Sequence, residues 1–107
     1  MQYADGVSRD EFDQLTDDMK AILLAAEAFS WYHFDKELVI TSMIRPDDKG
    51  VHGVGRGVDI RSHNYGKEEI ARFVAFMNFA FPYGRGKPTA LFHNVGKGDH
   101  IHLQSPD

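Results

Sequence analysis

The segment His52-Gly53-Val54-Gly55-Arg56-Gly57-Val58-Asp59 sets a glycine at every second position between an imidazole and a carboxylate. In a straight strand its ends would stand about 23 Å apart, too far to share one ion. Glycine visits positive φ without the steric cost that other residues meet. The segment can therefore turn back on itself and bring His52 and Asp59 together. Asp59 lies between Val58 and Ile60. A carboxylate with β-branched apolar neighbours is expected at a strand end, partly stripped of water. Such a group needs a partner, and a divalent cation would serve.

A second pair of candidate ligands stands near the C-terminal end. His100 and His102 sit two apart in His100-Ile101-His102-Leu103-Gln104, which reads as a strand. Strand alternation sends both rings to one face, about 7 Å apart at the Cα atoms. Neutral imidazole is a common metal ligand, so the two can form one wall of a site. His52, Asp59 and His102 then make three ligands. Catalytic zinc usually takes three protein ligands and keeps a fourth position for water. The metal acidifies that water and polarises a substrate carbonyl. A base must still take the proton. His100 is the first choice, on the same face as His102. Asp99 is the second, because a strand starting only at His100 would leave it free to turn inward.

The rest of the chain supplies a frame for these groups. Ser8 to Glu11 reads as a capping box. Behind it, Phe12, Leu15, Met19, Ile22, Leu23, Ala26 and Phe29 recur at helical spacing and predict a helix from about Arg9 to about Tyr32. Leu38 to Ile44 and Val58 to Arg61 read as strands. Lys67 to Phe79, with Ile70, Phe73, Val74 and Met77 on one face, reads as a second helix that Pro82 ends. Thr89 to Val95 and His100 to Gln104 read as strands joined through Gly96-Lys97-Gly98, a hairpin spacing. The order helix, strand, strand, helix, strand, strand predicts one α+β domain over residues 1–107, with two helices packed on a small, mainly antiparallel sheet.

Composition removes other classes. The chain has no cysteine, so disulfides, thiolate metal sites and cysteine nucleophiles are excluded. A metal must be held by histidine and carboxylate, which suits zinc. The net charge of -4 argues against nucleic acid or anionic lipid as a whole-surface partner. No apolar run approaches a membrane span. Met1 to Arg9 has neither a basic start nor an apolar stretch, so it does not read as a secretory signal. A substrate outside the cytoplasm would then be reached by lysis, on a virion or by another export route. A monomer is expected.

The segment Ile40 to Asp59, followed by Asp99 to Gln104, resembles the zinc peptidases that include D-alanyl-D-alanine carboxypeptidases and dipeptidases, L-alanyl-D-glutamate endolysins and the murein endopeptidase. Their signature is S-x-H-x-x-G-x-A-x-D with a late E/D/H-x-x-H or H-x-H. Here the first part reads Gly50-Val51-His52-Gly53-Val54-Gly55-Arg56-Gly57-Val58-Asp59, in which His, the central Gly and Asp match. The second part, Asp99-His100-Ile101-His102, is most similar to the H-x-H form. The resemblance implies a hedgehog-type, DD-peptidase-like fold, Zn2+ on His52, Asp59 and His102, and a base at His100 or Asp99. It also implies peptidoglycan stem or cross-link peptides as substrate. By the same resemblance Arg45, after the strand, would hold a substrate carboxylate or carbonyl, for which a guanidinium fork is suited. Gly50 and Gly57 stand where the family has Ser and Ala. The insertions that shape a substrate cleft are nearly absent.

Among the six histidines, His93 on the neighbouring strand is a candidate substrate contact or support for the site. His63 lies in a polar turn. His33 suits the negative end of a helix. Arg56, Arg85, Lys87 and Lys97 are scattered solubilising charge or a local basic rim for an acidic peptide. Two competing functions use the same residues: a non-catalytic domain that binds metal or wall peptide, and a metal-free phosphoesterase or nuclease built on the histidine pair.

Overall fold

The computed structural model describes residues 1–44, 55–84, 86–94 and 98–106. Its elements in chain order are β1 (Gln2–Tyr3), a 3-10 helix (Arg9–Gln14), α1 (Asp17–Phe34), β2 (Val39–Ser42), β3 (Gly57–Arg61), α2 (Lys67–Ala80), β4 (Ala90–Asn94) and β5 (Asp99–Gln104). The expected α+β class and two main helices are present. The sheet is mixed, in the order β1-β2-β3-β5-β4. β1 runs parallel to β2, and the other pairings are antiparallel. At two residues, β1 is too short to leave a periodic signal in the sequence.

The first expected helix is two helices. Ser8 and Glu11 do form the capping box, but on the 3-10 helix. Leu15 is extended and buried, and Thr16 then caps α1 by accepting a hydrogen bond from the Met19 amide at 3.2 Å. Apolar spacing runs through the break because both pieces pack on one core, so periodicity alone cannot detect it. The break is where the glycine-rich segment docks. The Thr16 amide donates to Gly55 O at 3.0 Å. Gly55 has φ 74°, and a Cβ there would lie 2.5 Å from Gln14 O. Glycine is required at this position for both reasons.

α1 buries Met19, Ile22, Leu23, Ala26 and Phe29, one stripe at helical spacing. It runs on to Phe34 and ends at Asp35 in the left-handed region, φ 55°. Asp tolerates that conformation better than most residues. α2 starts at Gly66, whose amide donates to Glu69 Oε1 at 2.8 Å. Lys36 Nζ also reaches Glu69 Oε1, at 2.6 Å. The Lys36 contact, and after it the Gly66 amide, hold the Glu69 carboxyl below the usual glutamate range. Asn78 fastens α2 to the sheet: its Oδ1 accepts from the Thr89 and Ala90 amides at 2.7 and 2.8 Å.

Alternation divides the central strands. Val58, Ile60, Ile101, Leu103 and Ala90 share one cluster with Met19, Leu23, Phe73 and Met77. The two helices therefore cover one sheet face. The intervening residues of β3, β5 and β4 belong to the other face.

Candidate functional site

That other face carries the polar groups. The register sets Asp59 opposite His102, Arg61 opposite His100, and His93 opposite His100 on the far side. On the β2 side, an irregularity between Ile40 and Ser42 brings Ser42 opposite Asp59. One extra residue in a strand of this kind re-aims the side chains that follow it.

Asp59 is buried, at 4% exposure. Its Oδ1 lies 2.9 Å from His102 Nδ1 and 3.7 Å from His100 Nε2. The His93 ring lies 5.3 Å from the His100 ring and stacks on that of His102 at 6.2 Å. Four of the sequence candidates, Asp59, His93, His100 and His102, are thus gathered on one patch. His52 and Arg45 lie outside the described residues.

Asp99 is not part of the patch. It lies within β5, paired with Asn94, rather than ahead of the strand. Alternation therefore turns it to the face opposite His100. There it lines an apolar groove with Tyr65 and Val74. His63 lines the same groove, and His33 packs 4.2 Å from the Phe29 ring.

Gln104 belongs to the patch and was not singled out by its sequence. The signal was present, because His100, His102 and Gln104 alternate along one strand. Gln104 Nε2 donates to Pro88 O at 2.8 Å. This orients the amide so that Oε1 faces His102 Nε2, at 3.0 Å. An amide oxygen only accepts, so His102 Nε2 carries the proton. A neutral ring then has its lone pair on Nδ1, facing a carboxylate oxygen. Two electron pairs at 2.9 Å repel. A proton shared between the two groups, or a cation held by both, relieves that repulsion.

The donor types, an imidazole nitrogen and a carboxylate oxygen, are ones that zinc accepts. Ligands about 2.0–2.1 Å from a tetrahedral zinc stand about 3.3 Å from one another. At 2.9 Å the pair stands at hydrogen-bond distance, a few tenths of an ångström closer than two such ligands. A ligating histidine usually gives its other N–H to a carbonyl or carboxylate, the part Gln104 plays here. Among the described residues, no group of three or more His, Cys, Asp or Glu is arranged to hold a metal by itself.

No family model, curated protein or solved structure matches this chain. No described helix is long and apolar enough to cross a membrane.

Proposed function

We propose that this protein is a zinc-dependent peptidase that hydrolyses peptidoglycan stem or cross-link peptides. The observation that carries the proposal is the Asp59–His102 pair. A buried carboxylate and an imidazole nitrogen, two donor types that zinc accepts, meet at 2.9 Å, while the other ring nitrogen faces the Gln104 amide oxygen. His52 is assigned as the third ligand from its place in the H-x-x-G-x-x-x-D motif. Zinc in such a site polarises the scissile carbonyl and acidifies water.

The protein's own groups have separate parts. Asp59 and His102 would hold the metal from adjacent strands, so their spacing is set by the sheet rather than by a loop. His100 takes the proton of the attacking water. It shares the face with Asp59, and its side chain is a quarter exposed, open to solvent and substrate. Asp99, on the opposite face, has no part in this scheme. His93, beside both histidines on edge strand β4, contacts the peptide. Arg45 is assigned to a substrate carboxylate by the family resemblance, which is also the source of the substrate class and of the hedgehog-type, DD-peptidase-like fold.

The test is digestion of purified peptidoglycan with and without a chelator, with products identified by mass. Soluble muropeptides that vanish on chelation and return with zinc are expected. Intact sacculi from a protein that also binds no zinc would reject the proposal.

A further inference from the structure

We infer that Gln104 is a positioning residue that sets which nitrogen of His102 serves as the ligand atom. The inference rests on the zinc reading, but its evidence lies in a different contact. His102 has two ring nitrogens, and a metal can take only one that lacks a proton. The choice is made on the side away from Asp59. Gln104 Oε1 accepts at His102 Nε2, 3.0 Å away. The same amide could rotate and offer its NH2 group instead, which would call for the opposite tautomer. That rotation is blocked by Pro88, whose carbonyl accepts from Gln104 Nε2 at 2.8 Å. Rotation would set amide oxygen against carbonyl oxygen and amide hydrogens against the His102 N–H. The chain of bonds therefore runs from a backbone carbonyl, through one amide, to one imidazole, and leaves Nδ1 turned to Asp59.

The two partners of Gln104 come from different parts of the fold. His102 is its neighbour on the same face of β5, two residues back along the strand. Pro88 directly precedes Thr89, whose amide is held by Asn78 of α2. Thr89 Oγ1 also donates to Phe81 O, at the end of α2. The acceptor that orients Gln104 is thus anchored by the helix layer beneath the sheet. In this way the covered face of the molecule sets the chemistry of the open one, through a proline that has no N–H of its own to offer.

The experiment compares wild type with Gln104→Met and Gln104→Glu, each with histidine labelled in 15N. Methionine keeps the length of the side chain and removes the acceptor, whereas glutamate keeps an acceptor. Circular dichroism and thermal melting check that each variant folds. Zinc affinity is measured by competition with a chromophoric chelator, and the His102 tautomer by ring nitrogen shifts in the zinc-loaded protein.

The expected result is a proton on His102 Nε2 in wild type. Gln104→Met should weaken zinc binding about 10- to 100-fold, the range found when such supporting bonds are lost. Gln104→Glu loses the donor to Pro88 O but offers Nε2 an acceptor in either orientation, so it should keep the proton on Nε2 and lose less affinity than Gln104→Met. A folded Gln104→Met variant with unchanged affinity, or a His102 that carries its proton on Nδ1, would overturn the inference. Wild-type protein that binds no zinc rejects the proposed function instead. The tautomer in the metal-free protein, read above the ordinary histidine range, then decides the role of Gln104: a proton on Nε2 supports it and one on Nδ1 overturns it.

Discussion

The two faces of strands β3, β5 and β4 are built from the same residues in alternation, yet they are under opposite constraints. On the helix side, Val58, Ile60, Ile101 and Leu103 are at most 2% exposed and belong to the hydrophobic core. On the other side, hydrogen bonds join Asp59, His102 and Gln104, with the His100 and His93 rings packed beside them. The helix side gains free energy from every methylene removed from water. The polar side holds a carboxylate that is almost as buried as the core, which costs free energy unless it is fully partnered. The apolar core thus lies on one face and the ionisable groups on the other, on strands that cannot move one without the other.

That division can be tested by breaking each face in turn. The largest effect is expected for His102→Ala. It should lower peptidase activity about a thousandfold or more, as loss of several kcal/mol of metal-derived stabilisation implies. Zinc should be lost from the protein, measured by metal analysis, and the metal-free protein should also melt lower, because Asp59 stays buried without its 2.9 Å partner. A variant that keeps both zinc and activity would remove His102 from the site. His100→Ala comes next. It should retain zinc and lose about 100- to 10,000-fold in kcat, the range for a missing general base. Asp99→Ala should leave both unchanged. Equal losses in the two variants would mean that the faces are not chemically separate.

Leu103→Ala probes the covered face, one residue from His102. It should destabilise the fold by about 2–5 kcal/mol, measured by denaturant unfolding, from lost transfer energy and the cavity left behind. The folded fraction should bind zinc as wild type does. If affinity falls with stability, the core also tunes the site. The smallest effect is expected for Gly55→Ala, at the entry to β3. A Cβ there meets Gln14 O at 2.5 Å, at a φ that alanine rarely adopts. The cost should be about 1–3 kcal/mol, the scale of local backbone strain. No change in unfolding free energy would show that the 3-10 helix yields easily.

Much of this arrangement can be read along the chain, and its failures have identifiable causes. The alternation of His100 and His102 places them on one face, and the structure has them there. Val58 and Ile60 around Asp59 mark a carboxylate drawn out of water, and Asp59 is buried. The break at Leu15 and Thr16 was hidden because the apolar period continues across it. Asp99 could be read either way, since strand ends are decided by partners, and its partner Asn94 lies on another strand. Gln104 shares the alternation of His100 and His102, but an amide has no acid–base chemistry to single it out, and its part depends on Pro88, which orients it.

The sequence by itself determined which residues share a face. Side-chain direction in a strand or helix depends only on local backbone geometry, which has a fixed period. It also determined that any metal must be met by histidine and carboxylate, because no thiol exists in the chain. The tertiary structure decided what the period leaves open: which strands become neighbours, where each begins, and which atom of each group faces which. Asp59 and His102 are 43 residues apart. Only the antiparallel register of β3 on β5 brings a carboxylate oxygen against one particular nitrogen of an imidazole. Only a carbonyl from the segment after α2 decides which of the two nitrogens holds the proton.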